Sequence, residues 1–396
     1  MCFILVGVGE RIMIYADNAA TSRMDNEAFE AMMPFLLEDF GNAAQSYSFS
    51  RAGKKAIKQA RLTIAECIGA LPEEIYFTSG GTESDNWAVK GSTLLSGELR
   101  ETITSEIEHH AILNTCQTIE RLGFPVIYLP VDRLGVVKPS LLRDKISSKT
   151  KLVSIMLANN EIGTVQPIQE LCSIAHENGC LFHTDAVQAV GHIEIDVKKL
   201  KVDMLSASAH KFNGPKGIGF LYIKKGTNLL PYLDGGAQEF GIRAGTENIA
   251  FIVAMAVALR NNVKHINHSF IELKKLENIL ISELSKAKID FIRNGSSLGL
   301  PGNINLSFRD VEGEMLLHRL DLLGICVSTG SACNSKKTQI SHVIKAIGVP
   351  ADYEKGTLRI SLGKDNSEHD VLRIANELTR IIDSFKNTVF VDKINK

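Results

Sequence analysis

Short apolar runs alternate with amphipathic stretches from about residue 54 to residue 225. Runs at Glu74–Thr78, Glu101–Ser105, Val126–Leu129, Leu152–Leu157, Cys180–Thr184, Asp203–Ser206 and Gly219–Ile223 have the length and composition of buried strands. Between them, Lys54–Ala70 and Ile168–Asn178 repeat apolar residues at helical spacing, and Gly179 predicts a stop for the second of these helices. Continuous apolar strands separated by helices predict an α/β fold with a mainly parallel sheet covered on both faces. A long helical pattern follows at Asn248–Lys286, then an alternating α+β region that ends in helical residues Asp370–Phe385. This pattern predicts a large domain over residues 25–264 and a smaller α+β domain built from residues 13–24 and 265–396. Residues 1–12 are expected to be an N-terminal extension, with Met13 as an alternative start.

Composition narrows the class. The chain has 396 residues, enough for a large core, and 44% of them are hydrophobic. Lys and Arg number 44 against 45 Asp and Glu, so no basic surplus points to direct nucleic-acid binding. The apolar run Cys2–Gly9 lacks a basic flank and falls short of the roughly 20 residues that span a bilayer. Its Gly7-Val8-Gly9 is too weak a signal for a nucleotide loop. Seven scattered cysteines without framework or zinc spacing predict a reducing, cytoplasmic setting, no membrane and no metal site.

Several strand ends carry chemistry. Ser79-Gly80-Gly81-Thr82 follows a strand and opens a helix, where glycines let the backbone approach an anion; a capped tight turn is the plainer alternative. Asp185 ends a strand with Gln188 three residues on, and a carboxylate there can hold a ring nitrogen protonated or cap a helix. His109 and His110 follow another strand, suited to acid/base work, ring stacking or a structural role. Lys211 closes an apolar, small-residue strand and can form a Schiff base; Lys216 competes for that role. Cys333 sits among small residues in Ser328–Ser335, whereas Cys67, Cys116, Cys172, Cys180 and Cys326 fall on apolar patterns as small hydrophobes. A lysine amine, a carboxylate after a strand and an exposed thiol together suggest pyridoxal-phosphate chemistry with a sulfur acceptor.

The motifs also follow a familiar order. Tyr15-Ala16-Asp17-Asn18-Ala19-Ala20-Thr21 is followed by Phe77-Thr78-Ser79-Gly80-Gly81-Thr82-Glu83-Ser84-Asp85-Asn86 and Ala158-Asn159-Asn160-Glu161-Ile162-Gly163. Then come His183-Thr184-Asp185-Ala186-Val187-Gln188, Ser208-Ala209-His210-Lys211, Arg243-Ala244-Gly245-Thr246-Glu247-Asn248 and Gly330-Ser331-Ala332-Cys333. On these motifs, from Ile14 to the C-terminal region, the chain resembles the cysteine desulfurases.

The resemblance implies a fold-type I, aspartate-aminotransferase-like homodimer that binds pyridoxal 5'-phosphate and acts on L-cysteine. It implies that Lys211 holds the cofactor covalently and shuttles the Cα proton. Asp185 pairs with the ring nitrogen, Gln188 with the ring hydroxyl, and His109 stacks on the ring as an acid/base. Gly81, Thr82, Ser208 and His210 hold the phosphate, joined by Thr246 of the other subunit. Asn160 and Arg359 bind the substrate carboxylate, and Cys333 receives the sulfur as a persulfide for a sulfur-acceptor protein in iron–sulfur cluster assembly or thio-modification. Selenocysteine lyase, a non-catalytic scaffold on the same fold and a simple aminotransferase are the competing readings. Two departures from the family pattern stand out: no proline follows Gly41-Asn42, and Lys336-Lys337-Thr338-Gln339-Ile340 replaces a small-residue, Leu-Glu-Pro run. The second lies where acceptors dock.

Overall fold

The computed structural model describes residues 13–330 and 340–394. The chain begins with β1 (Ile14–Tyr15), α1 (Asn26–Leu37), α2 (Arg51–Ile68), β2 (Ile75–Thr78), α3 (Gly81–Thr93), β3 (Glu101–Ser105), α4 (His110–Arg121) and β4 (Val126–Leu129). It continues through α5 (Pro139–Lys145), β5 (Thr150–Ser154), α6 (Ile168–Glu177), β6 (Leu181–Asp185), α7 (Val197–Leu200), β7 (Met204–Ser208) and β8 (Gly219–Ile223). After α8 (Ile249–Lys286) come β9 (Phe291–Asn294), β10 (Asn303–Phe308), α9 (Gly313–Leu322), β11 (Ile325–Cys326), α10 (His342–Ala346), α11 (Ala351–Glu354), β12 (Thr357–Ser361) and α12 (Glu368–Ile394).

The main sheet has the order β2-β8-β7-β6-β5-β3-β4. Strands β3 to β7 pair in parallel, as the continuous apolar runs predict. β8 alone runs against both neighbours, β2 and β7. The short link from Ser208 to Gly219 explains the reversal, because a parallel return needs a long crossover. Chain order reverses between β3 and β5, since β4 lies outside β3 while β5 and β6 step the other way. Ligands of open α/β sheets gather outside the strand ends at such a reversal.

Several boundaries differ from the sequence expectation, among them two around Asp185. The strand expected at Leu152–Leu157 ends at Ser154, and Ile155–Leu157 run on outside the ladder. They stay extended because Ile155 N–H donates to His183 O (3.1 Å) and Leu157 N–H to Asp185 O (2.8 Å). Their apolarity reflects burial and not strand pairing. The next strand, β6, reaches Asp185, so its carboxylate leaves from the last strand residue. Gly179, with φ 69°, follows α6 in the left-handed conformation that favours glycine.

One core joins one face of the main sheet to α2, α6 and the first half of α8, through Ile249, Ile252, Met255 and Leu259. A second joins the latter half of α8, through Leu273, Leu276, Leu280 and Leu284, to α9, α12 and the antiparallel sheet β12-β10-β9. β1 pairs in parallel with β11, so the segment around Ile14 packs with the C-terminal region. By length and composition α8 could cross a membrane. Its apolar residues are instead shared between the two cores.

Candidate active site

The turns at the strand ends converge on one cavity of about 550 Å³. Gly80, with φ 148°, ends the β2 turn, and α3 starts at Gly81 with Thr82 next in the cavity wall. A Cβ on Gly81 would lie 2.5 Å from Val187 Cγ2, so this wall has room only for glycine. The positive end of α3 therefore faces the cavity without side-chain cover, the arrangement that binds phosphate. Glu83 on the first turn is held by Arg243, whose Nε and Nη2 donate to it at 2.8 and 3.0 Å. Ser208, His210 and Lys216 line the same side. His210 Nδ1 lies 3.2 Å from Thr21 Oγ1, and burial holds its ring down at about 4.

Asp185 and Lys211 lie deeper. Lys211 Nζ donates to Ala19 O (2.7 Å) and Ala20 O (2.9 Å), which ties the amine to the segment after β1. The competing Lys216 is exposed at the rim. Asp185 Oδ1 accepts from Val187 N–H at 2.9 Å, so the residue orders its turn and also presents a carboxylate to the cavity. Burial raises its pKa, and the Lys211 ammonium opposes the rise. Gln188 is buried, with Nε2 donating to Ala19 O at 2.9 Å. His109 caps α4, its Nδ1 accepting from Ala111 N–H at 3.1 Å. That bond leaves the proton on Nε2. Burial, then the Lys211 charge, lowers this ring to about 4 and keeps it neutral.

Arg359 on β12 reaches the cavity from the second sheet. Its Nη1 donates to Asn160 O (3.0 Å) and its Nη2 to Asp17 Oδ1 (2.7 Å). Its Nε is buried with no acceptor among the described residues. A buried, half-satisfied guanidinium on a cavity wall suits a carboxylate ligand. Asn160 and Gly330 line the wall beside it. Thr246 is exposed and does not line the cavity of its own chain. Cys333 lies outside the described residues.

Strand-end reasoning missed several buried groups around this cavity. Asp85 lies one helical turn beyond Gly81 and lines the floor, with Oδ1 buried and unpartnered among the described residues. Its pKa is well above the ordinary value, because of burial and then the nearby Asp185. His183 bridges Ser154 Oγ and Ser206 Oγ at 2.9 Å each, and its Nε2 is 3.8 Å from Asp85 Oδ1. Burial lowers His183 to about 3, so this contact is not an ion pair. A charged residue on a helix face of small and apolar neighbours (Gly81, Ala88, Val89) was the one signal for Asp85.

The family model for aminotransferase class-V matches residues 14–374. Cysteine desulfurase IscS from Methanosarcina thermophila is 48% identical over 96% of this chain and 94% of the relative. Cysteine desulfurase IscS from Dictyoglomus turgidum is 49% identical over 94% of this chain and 95% of its own. The chain belongs to the class-V aminotransferases, among the cysteine desulfurases. Solved structures agree. One named NIFS-like protein superposes with a TM-score of 0.89 at 37% identity, covering 94% of this chain and all of that one. SspA in complex with cysteine superposes at 0.79 with 36% identity, covering 88% of this chain and 98% of that one.

Enzymes of this family use pyridoxal phosphate, and the cavity fits it. The glycine-walled helix start suits a phosphate, Lys211 Nζ an aldehyde, Asp185 a ring nitrogen, and His109 a ring face. Asp85 and Arg359 both line it, and each carries a buried polar atom, Oδ1 and Nε, without a partner among the described residues.

Proposed function

We propose that this protein is a cysteine desulfurase: it takes the sulfur of L-cysteine onto Cys333 and releases L-alanine. The observation that carries this reading is the meeting of Lys211, Asp185 and Arg359 on one cavity whose wall includes Gly330, three residues before Cys333. When bound, the cofactor supplies an electron sink that stabilises negative charge at the substrate Cα.

The protein supplies position and proton control. Arg359 and Asn160 hold the substrate carboxylate, which orients the Cα–H bond toward the Lys211 side. Lys211 Nζ, once free, takes the Cα proton and returns a proton to the product. Asp185 would hold the ring nitrogen of the cofactor, and a positive charge there would offset the burial that raises the carboxyl. His109, neutral and carrying its proton on Nε2, would lie against the cofactor ring and could offer that proton. Gly81, Thr82, Ser208 and His210 hold the phosphate. Thr246, exposed on its own subunit, joins the phosphate site of a partner in a homodimer. The Cys333 thiolate attacks the substrate sulfur; the Cβ–S bond breaks as the S–S bond forms. The balance is L-cysteine plus a thiol giving L-alanine plus a persulfide. A sulfur-acceptor protein then takes the persulfide sulfur for iron–sulfur clusters or thio-modification. The free cysteines among the described residues support a reducing compartment, and the cytoplasm is the proposed location.

The test measures alanine and sulfide from L-cysteine with dithiothreitol for wild type, Cys333→Ser and Lys211→Ala, with visible spectra. Wild type should be yellow and active, Cys333→Ser yellow but nearly inactive, and Lys211→Ala without the covalently bound cofactor band. Sulfide release by Cys333→Ser at the wild-type rate would overturn the persulfide step and leave a lyase that needs no protein thiol.

A further inference from the structure

Glu161 is a buried carboxylate that does not line the cavity, yet its side chain meets both ends of the segment that contains Cys333. Its exposure is 4%. Its backbone is held in place: Glu161 N–H donates to Asn159 Oδ1 at 2.9 Å, and Asn305 Nδ2 donates to Glu161 O at 3.2 Å. On the downstream side, Ser341 Oγ donates to Glu161 Oε2 at 2.6 Å. The same hydroxyl accepts from Val343 N–H at 3.1 Å and so caps α10. That helix packs Val343 and Ile344 against Ile162, the neighbour of Glu161.

On the upstream side the contact is steric. Gly330 has φ 81°, and a Cβ there would lie 2.8 Å from Glu161 Oε2 and 3.2 Å from its Cδ. The residues before it are pinned to the strand that bears the guanidinium, with Ser328 N–H donating to Arg359 O at 3.0 Å and Arg359 N–H to Ser328 O at 2.6 Å. The Glu161 carboxylate, next in sequence to Asn160, thus packs against Gly330 and bonds Ser341. Burial raises Glu161 to about 7, with the Ser341 hydrogen bond and then the Arg359 charge opposing that rise.

We propose that Glu161 is a positioning residue for sulfur transfer: its bond to Ser341 and its packing against Gly330 hold these two described residues, which flank 331–339 in sequence, relative to the substrate-binding wall. The inference rests on Cys333 being the sulfur acceptor. It separates two things the enzyme needs. Cofactor and substrate are held by residues that Glu161 does not replace, while the approach of the thiol depends on where its segment is anchored. Losing an anchor therefore slows the transfer step more than it weakens binding, since misplacing a reacting group by about 1 Å costs on the order of a hundredfold.

The experiment uses the holoenzyme and four variants. Glu161→Gln and Ser341→Thr keep an acceptor oxygen and a hydroxyl; Glu161→Ala and Ser341→Ala remove them. Spectral titration gives affinity for the cofactor and for L-cysteine, and rapid mixing with thiol labelling gives the rate of persulfide formation on Cys333. Both alanine variants should slow that rate by about tenfold to a hundredfold while the two affinities stay within about threefold, and Gln and Thr should restore most of it. Alanine variants that transfer sulfur at the wild-type rate would overturn the inference. Conservative variants as slow as the alanine ones, or cofactor affinity falling in step with the rate, would show a structural role and overturn it too. A wild type that forms no persulfide would sink the desulfurase reading itself, whereas normal wild-type transfer with unaffected variants would sink only the role of Glu161.

Discussion

A guanidinium is a rigid planar fork, and Arg359 spends its two Nη groups on Asn160 O and Asp17 Oδ1 before any substrate arrives. Those bonds fix the guanidinium, whose buried Nε has no acceptor among the described residues, in the cavity wall. Arg359→Lys keeps the charge but loses the fork, so the KM for L-cysteine should rise by about tenfold to a hundredfold while the bound-cofactor spectrum stays unchanged. Steady-state kinetics with a spectrum of each holoenzyme checks this, and an unchanged KM would remove Arg359 from substrate binding. Single residues were unevenly legible in the sequence. Asp185 was visible because it ends an apolar strand, and Lys211 because it closely follows one. Choosing between Lys211 and Lys216 took the fold, which turns one amine onto Ala19 O and Ala20 O and leaves the other exposed. Cys116, Cys172 and Cys180 met the expectation of small buried hydrophobes, whereas Cys67 and Cys326 are only half-buried. Burial pushes Cys67 and Cys180 up to about 11 and Cys116 and Cys172 up to about 12, far from a reactive thiol.

Between elements, the contact that orders the β2 side of the site is a buried ion pair that periodicity could not reveal. Glu239 lies far along the chain from α2 and β2, in backbone with φ 43°. It accepts from Arg61 Nη1 (2.9 Å) and Nη2 (2.7 Å), and from Phe77 N–H at 2.8 Å. Arg61 stacks on Phe77, 4.4 Å from its ring centre, and donates to Ile75 O. Three separate stretches of chain meet there just before the glycine turn that opens α3. Removing one partner leaves a buried charge and a buried N–H unpaired, so Glu239→Ala should cost about 3–5 kcal/mol. Urea unfolding of the apoprotein measures it; a loss below about 1 kcal/mol would mean that water replaces the carboxylate at no cost. The elements themselves were largely legible. β3, β4 and β8 match their expected limits, and α8 starts one residue after the expected Asn248, which serves as its cap. The reach of the strand through Leu157 failed because apolar composition reports burial, and a chain leaving a ladder into a core is as buried as one inside it.

At the scale of the whole molecule, the site concentrates buried ionisable groups whose effects on stability run in opposite directions with pH. Burial lowers His109 and His210 to about 4 and His183 to about 3, so the folded state binds fewer protons than the unfolded one up to about 6.5. These groups make stability rise with pH, and their effect is complete near neutrality. Burial raises Glu108 to about 8, although Ser105 Oγ (2.6 Å) and Met156 N–H (3.0 Å) bond to it. Here the folded state holds the extra proton between the ordinary carboxyl range and about 8, so stability falls as pH rises through that window. The apoprotein should therefore be less stable at about pH 8.5 than at about pH 6.5, and Glu108→Gln should flatten that slope. Urea melts at three pH values decide the matter; equal slopes for the two proteins would mean that Glu108 does not carry the change.

Residue order alone determined the strand and helix run of the large sheet, the place of the glycine turn and the identity of the principal catalytic candidates. Those features are local, because side-chain period and turn chemistry are set within a few residues. The pairing of β1 with β11, the reversal of β8, the approach of Arg359 from a second sheet and the bond from Glu161 to Ser341 were decided by tertiary structure. Each joins residues whose nearness follows from how two cores pack, and no local pattern records that packing. The same holds for the raised and lowered pKa values, since burial is a property of the assembled fold and leaves no mark on the residue that bears it.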